Sequence, residues 1–143
     1  MKLVTAEEMR QLERGAVASG LSYEAMMERA GHATAQAIQQ RIGSEAAQIL
    51  VLAGPGNNGG DGLVAARYLG EWGHVVRVYL CGRSAAPDPH LERVQAMGLP
   101  VASAEEDEGL QQLGVWLAAS QVWVDALLGI GASGPLRGAV RQV

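Results

Sequence analysis

The fold of this chain is decided by one stretch, Ile49-Leu50-Val51-Leu52-Ala53-Gly54-Pro55-Gly56-Asn57-Asn58-Gly59-Gly60-Asp61-Gly62. It opens with a continuous apolar run that ends at glycine and proline, the pattern of a strand buried on both faces. Residues 62–72 then carry apolar side chains at helical spacing. A strand, a glycine-rich loop and a helix in this order indicate the first half of a βαβ unit.

The rest of the chain alternates in the same way. Two amphipathic helices come first, one behind the capping-box pattern of Thr5 and Glu8 and one over residues 22–43. Further elements are predicted as strands at 75–81, 100–102 and 122–128, helices at 90–98 and 105–119, and a polar loop at 82–89. This order predicts an α/β fold with a mainly parallel sheet, right-handed crossovers and helices on both faces.

The composition excludes several classes of protein. With 143 residues and a formal charge of −4, the chain has the size of one domain and lacks the basic clusters of nucleic-acid or acidic-membrane binders. It contains no run of about 18 apolar residues that would predict a membrane helix. Because its N-terminus turns acidic early, it does not resemble a secretory signal, and we expect a cytoplasmic protein. Its one cysteine, Cys81, is expected to be a buried thiol.

Nine of the 19 glycines lie in two windows, 54–62 and 129–138. The first satisfies G-x-G-x-x-G, but Gly60 stands where a P-loop needs lysine, and the second predicted strand ends without the acidic residue that holds a ribose. Asp61 at the predicted helix start would repel a pyrophosphate. The window therefore indicates a loop that presents Asn57, Asn58 and Asp61 for hydrogen bonding, or simply a turn with an N-cap.

The second window follows Asp125, which lies near the carboxyl end of the last predicted strand. Ligands of open α/β sheets bind outside the carboxyl ends of the strands, so the two windows are expected to face each other across one crevice. Asp125 and Asn58 offer hard oxygen ligands for a hard cation, although two positions do not complete a coordination shell. Asp125 is equally compatible with a buried carboxylate that accepts backbone N–H bonds.

The chain resembles the YjeF N-terminal domain family, the NAD(P)H-hydrate epimerases, most specifically in the Gly-Asn-Asn-Gly-Gly-Asp-Gly loop at 56–62. Other segments agree in order along the chain: Leu3-Val4-Thr5-Ala6-Glu7-Glu8-Met9, Met27-Glu28-Arg29-Ala30-Gly31, Val124-Asp125-Ala126-Leu127-Leu128-Gly129-Ile130-Gly131 and Pro135-Leu136-Arg137-Gly138. The resemblance implies a Rossmann-like three-layer α/β/α sandwich, preceded by the two N-terminal helices.

The resemblance also implies an isomerase of nicotinamide nucleotide repair, which interconverts the R and S epimers of hydrated NADH and NADPH. The hydrated nucleotide, NAD(P)HX, is then a substrate and not a redox cofactor, and a dehydratase, fused or separate, is the functional partner. The implied substrate-binding residues are Asn57, Asn58, Gly59, Gly60, Asp61, Gly129, Ile130, Gly131, Ala132, Ser133, Gly134 and Pro135. Asn58 and Asp125 are implied ligands of a potassium ion, Asp61 is the candidate proton-transfer residue, and a homodimer is expected.

The chain departs from the family pattern in three ways. Arg29 replaces a usual Asn, Ile130 replaces a frequent Thr, and a later Asp-x-Pro-Ser-Gly segment has no counterpart. The resemblance therefore predicts that residues 1–143 form an incomplete domain whose C-terminal third is absent. Two other functions stay open: a noncatalytic nucleotide-binding or scaffold module of the same fold, and an NADP-dependent oxidoreductase half-domain in which Arg83 binds the 2′-phosphate.

Overall fold

The computed structural model describes residues 3–83 and 87–143, so residues 84–86 of the predicted polar loop lie outside the described part. Its helices are α1 (Ala6–Ala18), α2 (Tyr23–Ile42), α3 (Asn57–Glu71), α4 (Pro89–Ala96), α5 (Gln111–Ala119) and α6 (Gly138–Gln142). Its strands are β1 (Gln48–Ala53), β2 (Val75–Leu80), β3 (Val101–Ser103) and β4 (Val122–Ala126). None of the helices in the described ranges combines the length and apolarity that a membrane crossing requires.

The four strands form one sheet in the order β3-β2-β1-β4, and every pair is parallel. β1 is central, and its residues Ile49, Leu50, Val51 and Ala53 are fully buried, which confirms the strand predicted from the apolar run. Ala53 pairs with Leu80 on one side and with Ala126 on the other. The carboxyl ends of β1, β2 and β4 therefore meet at one edge of the sheet.

Helices cover both faces of the sheet, which confirms the predicted three-layer α/β/α arrangement. On one face, the core joins alternate strand residues to α2, α3 and α4 through Ala35, Leu63, Ala66, Leu69 and Val94. On the other face, Leu50, Tyr79 and Cys81 pack against α5 and α6. Cys81 is fully buried, as predicted.

The two N-terminal helices form where the sequence predicts them. Thr5 and Glu8 make the predicted capping box, and Gly20, with φ of +95°, separates α1 from α2. α2 packs closely on α3, because a Cβ on Gly31 would lie 2.4 Å from Cβ of Val64. α1, in contrast, has no buried residue.

The boundaries of several elements differ from the predictions. α3 begins at Asn57 instead of Gly62, so Asp61 lies inside the helix and the N-cap is Gly56. The helix predicted over 105–119 is a short 3₁₀ helix, Glu108–Leu110, followed by α5, because Leu110 adopts a left-handed backbone conformation with φ of +55°. β4 ends at Ala126, before Leu127 and Leu128.

Candidate functional site

The two glycine windows meet where β1 and β4 end, as predicted. Gly54 N–H donates to the carbonyl of Ala126 at 3.1 Å, and Nδ2 of Asn58 donates to the carbonyl of Leu128 at 3.2 Å. A Cβ on Gly129 would lie 3.1 Å from Cβ of Asn58. The first turn of α3 and the loop after β4 therefore form the walls of one crevice.

Most glycines of the first window are required by packing. A Cβ on Gly54 would lie 1.8 Å from the carbonyl oxygen of Leu127, and one on Gly59 would lie 2.0 Å from that of Gly54. A Cβ on Gly62 would lie 2.5 Å from Cβ of Ala126. Only Gly56 has nothing within 4 Å of its ideal Cβ position among the three glycines of the G-x-G-x-x-G match. The missing side chains of these glycines allow α3 to pack closely against β1 and β4.

Three polar side chains belong to the first two turns of α3, the first of which forms one wall of the crevice. Asn57 is exposed, while Asn58 and Asp61 are half-buried. Asn57 and Asp61 lie four residues apart and so share one face of the helix. Asn58 faces the second loop through its hydrogen bond to Leu128. Asn57 and Asp61 therefore lie together on one face of α3, while Asn58 contacts the loop after β4.

Asp61 has a strongly perturbed acidity. Burial is the main cause, and the neighbouring carboxylate of Glu13 in α1 adds to it, so that the pKa of Asp61 rises from 3.8 to about 6. The alternative in which Asp61 is the N-cap of this helix is wrong, since Gly56 occupies the N-cap position and α3 begins at Asn57. A carboxyl group with a pKa near neutrality can both donate and accept a proton at physiological pH.

The second loop is an open backbone surface. Residues 129–135, the predicted substrate contacts after β4, are all exposed. Next to them a cleft of about 320 Å³ is lined by Pro55, Leu128, Ala132, Ser133, Gly134, Pro135, Leu136, Arg137 and Val140. It joins the first window, through Pro55, to the second. Of the residues that the resemblance assigns to the substrate, Ala132, Ser133, Gly134 and Pro135 line this cleft, whereas residues 57–61 and 129–131 do not.

Asp125 lies at the end of β4, opposite Leu52 of β1. The alternative of a buried carboxylate is wrong, because Asp125 is exposed, although its Oδ1 does accept the N–H of Leu127 at 3.0 Å. Within residues 3–83 and 87–143, His, Cys, Asp and Glu side chains form no group of three that could hold a metal ion. One carboxylate and one amide offer oxygen ligands, which suit a hard cation better than a soft transition metal.

Two arginines from elsewhere in the chain contact the site, one of which the sequence analysis missed and one of which it gave a different role. Arg10 of α1 donates from Nη2 to the carbonyl of Ile130 at 3.4 Å, and no sequence pattern signals this contact. Arg83, which follows β2, donates from Nη1 to the carbonyls of Gly54 at 2.8 Å and Gly56 at 3.2 Å. The sequence singles out Arg83 by its position after the second strand, but as a ligand of a 2′-phosphate.

The parallel sheet, its two helical layers and the crevice at the carboxyl ends of β1 and β4 define a Rossmann-like α/β domain. The model of the family described as YjeF-related protein N-terminus matches residues 23–143. The chain belongs to this family.

Named relatives and a solved structure agree with this assignment. A bifunctional NAD(P)H-hydrate repair enzyme of Thermofilum pendens is 40% identical over 153 residues, which cover 100% of this chain and 28% of that protein. An NAD(P)H-hydrate epimerase of Rhodobacter capsulatus is 37% identical, with 96% of this chain and 66% of that protein covered. A yeast crystal structure superposes with a TM-score of 0.83 at 28% identity, covering 96% of this chain and 60% of that one. The chain thus spans less than two thirds of the length of each.

Proposed function

We propose that this domain is an NAD(P)H-hydrate epimerase, which interconverts the R and S epimers of hydrated NADH and NADPH. The observation that carries the proposal is the junction of the two glycine windows, where Asn58 Nδ2 bonds to the carbonyl of Leu128 at 3.2 Å. Relatives named NAD(P)H-hydrate epimerase and bifunctional NAD(P)H-hydrate repair enzyme support it. The bifunctional relatives also support a functional link to an NAD(P)H-hydrate dehydratase.

The proposed substrate contacts come from the first turns of α3 and from the loop after β4. From α3 they are Asn57, Asn58 and Asp61 with the buried Gly59 and Gly60 between them, and after β4 they are the exposed residues 129–135. A hydrated nicotinamide carries an amide and a hydroxyl group, which amide side chains and exposed backbone groups can hydrogen-bond. This donor and acceptor set suits a polar substrate better than a bare phosphate.

Asp61 is the proposed proton-transfer residue. Epimerisation at the hydroxylated carbon requires that a proton be given to, or taken from, the substrate, whether hydroxide leaves and returns or the ring opens. The pKa of about 6 that burial and Glu13 give to Asp61 allows both protonation states near neutral pH. The carboxyl lies on the same helical face as exposed Asn57, which can orient the substrate.

Asn58 and Asp125 are the proposed potassium ligands. Nδ2 of Asn58 donates to Leu128, so the atom of this amide that can bind a cation is Oδ1. Asp125 supplies a carboxylate at the adjacent strand end, and backbone carbonyls or water must complete the shell. The bound cation would supply positive charge beside the substrate.

The test couples the purified protein to a dehydratase that acts on the S epimer and supplies both hydrate epimers. We expect the R epimer to be consumed well above its spontaneous rate. Nucleotide binding without such acceleration would favour the noncatalytic module instead. Homodimer formation and a cytoplasmic location stay predictions.

The potassium proposal has its own variant. Asp125→Ala is expected to weaken the potassium dependence of turnover and to raise KM. Glu45→Ala, which removes an exposed carboxylate before the amino end of β1, is the matched control. Kinetics of Asp125→Ala that respond to potassium as in the wild type would refute the ligand assignment.

A further inference from the structure

One largely buried arginine fixes the backbone of the first glycine window. Arg83 follows β2, and its side chain is only 11% exposed. Its Nη1 donates to two carbonyls of the window, those of Gly54 and Gly56, at 2.8 and 3.2 Å. A single guanidinium nitrogen thus bridges both ends of the turn between β1 and α3.

Backbone hydrogen bonds from Gly54 to Ala126 and from Gly60 to Gly56 also hold this turn. Gly56 is the N-cap of α3, and within residues 3–83 and 87–143 no side chain provides a cap hydrogen bond. A Cβ on Gly59 would lie 2.8 Å from Nη1 of Arg83, so the guanidinium lies directly against the first turn of α3. Asn57 and Asn58 belong to this same turn, so the guanidinium of Arg83 packs against the backbone that carries both side chains.

Asp88 holds the guanidinium in place. Its Oδ2 accepts from Nε of Arg83 at 2.6 Å, while its Oδ1 accepts the N–H groups of His90 and Leu91 at the start of α4. Burial alone would raise the pKa of Asp88, but the hydrogen bonds from Arg83 and from these backbone groups lower it below its usual value. The window is thereby linked through Arg83 and Asp88 to the N-terminus of α4.

These contacts oppose the use of Arg83 as a ligand of a 2′-phosphate. Nε is bonded to a carboxylate and Nη1 to two backbone carbonyls, so the guanidinium is oriented by the protein itself. Lysine could not reproduce the arrangement, since one ammonium group lacks the planar fork that binds a carboxylate and carbonyls together.

We propose that Arg83 is a positioning residue of the crevice, which acts through the backbone of Gly54 and Gly56 and not by contact with the substrate. The catalytic part of this inference rests on the proposed epimerase function. The structural part, that Arg83 orders residues 54–60, is independent of it.

Hydrogen–deuterium exchange tests the structural part. Arg83→Met removes all donors while keeping an unbranched side chain, and Arg83→Lys keeps the charge. Arg67→Met is the matched control, because Arg67 lies further along α3, is 16% exposed and pairs with Glu28 of α2 and with Glu71. We expect the amides of Gly54 and Gly60, whose N–H groups donate to the carbonyls of Ala126 and Gly56, to exchange about tenfold faster or more in Arg83→Met, since a hydrogen bond to a charged group is worth at least that factor. Arg83→Lys should show a smaller increase. Exchange of these two amides no faster than in Arg67→Met would overturn the proposal.

Kinetics test the catalytic part. A displaced first turn is expected to lower kcat/KM of Arg83→Met by about 100-fold. Because the effect passes through the backbone, the loss should be equal for the hydrates of NADH and NADPH, and Asp88→Asn should show a smaller loss of the same kind. A loss confined to the NADPH hydrate would overturn the proposal in favour of direct phosphate binding. A wild-type protein without epimerase activity would reject the proposed function, while the exchange measurement would still decide the role of Arg83.

Discussion

Replacing Asp61 with Asn is expected to stabilise the folded domain above pH 6 while removing turnover. Burial first, and Glu13 second, raise the pKa of Asp61 from 3.8 to about 6. The folded state therefore binds the proton more tightly than the unfolded chain does. Ionised Asp61 destabilises the fold above pH 6, and this cost disappears as the pH falls from about 6 to about 4.

The size of the effect follows from the same values. A rise from 3.8 to about 6 corresponds to about 3 kcal/mol, at ~1.4 kcal/mol for each pH unit. Because Asp61 is only half-buried, solvent screening reduces the expected gain to about 1–2 kcal/mol. Asn has almost the same shape and no charge, so the variant should recover this amount at pH 8 and almost none at pH 4.

The assay is urea denaturation followed by circular dichroism between pH 4 and pH 8, with wild type and Asp61→Asn compared at each pH. Glu13→Gln serves as the second variant, since it removes only the smaller cause and should give a smaller gain. The reasoning is refuted if Asp61→Asn is no more stable than wild type at pH 8, or if the difference does not change with pH.

Two further predictions concern packing and the buried thiol. Gly54→Ala should lower the free energy of unfolding by about 3 kcal/mol, because its Cβ would lie 1.8 Å from the backbone oxygen of Leu127. Gly114→Ala in α5, where nothing lies within 4 Å of the new Cβ, should raise the free energy of unfolding by about 0.5–1 kcal/mol. Denaturant titration of both variants checks this contrast. Cys81 is fully buried, and burial, with smaller effects of Glu105 and Asp125, raises its pKa to about 11. Native protein at pH 8 should therefore react with a thiol reagent only as fast as it unfolds, and a rapid burst of labelling would contradict this.

The strands could be predicted from the sequence because their signal is local. The apolar run at 49–53 and the alternation of elements along the chain are sufficient for a parallel sheet with helices on both faces. The sequence predicts that α3 starts at Gly62, because glycine and asparagine have low helix propensity, and this prediction is wrong. Tertiary contacts override that propensity here, since Gly60 allows Met27 to approach and Gly62 allows Ala126 to approach.

The candidate site was predictable to the extent that it depends on strand ends. Parallel strands end at the same edge, so the meeting of Asn58 with the loop after β4 followed from the topology. The contacts of Arg10 with Ile130 and of Arg83 with Gly54 join distant parts of the chain. No local pattern encodes such pairs, and the position of Arg83 after the second strand, taken alone, indicates a phosphate ligand.

The start of α3 also decides the chemistry of Asp61. Asp88 caps α4, where backbone N–H groups and Arg83 lower its pKa. An aspartate at the N-cap of α3 would be stabilised as a carboxylate in the same way. Because α3 begins at Asn57, Asp61 instead lies inside the helix, where burial and Glu13 raise its pKa to about 6. The glycines that let α3 start early therefore also turn Asp61 from a structural cap into a group suited to proton transfer near neutral pH.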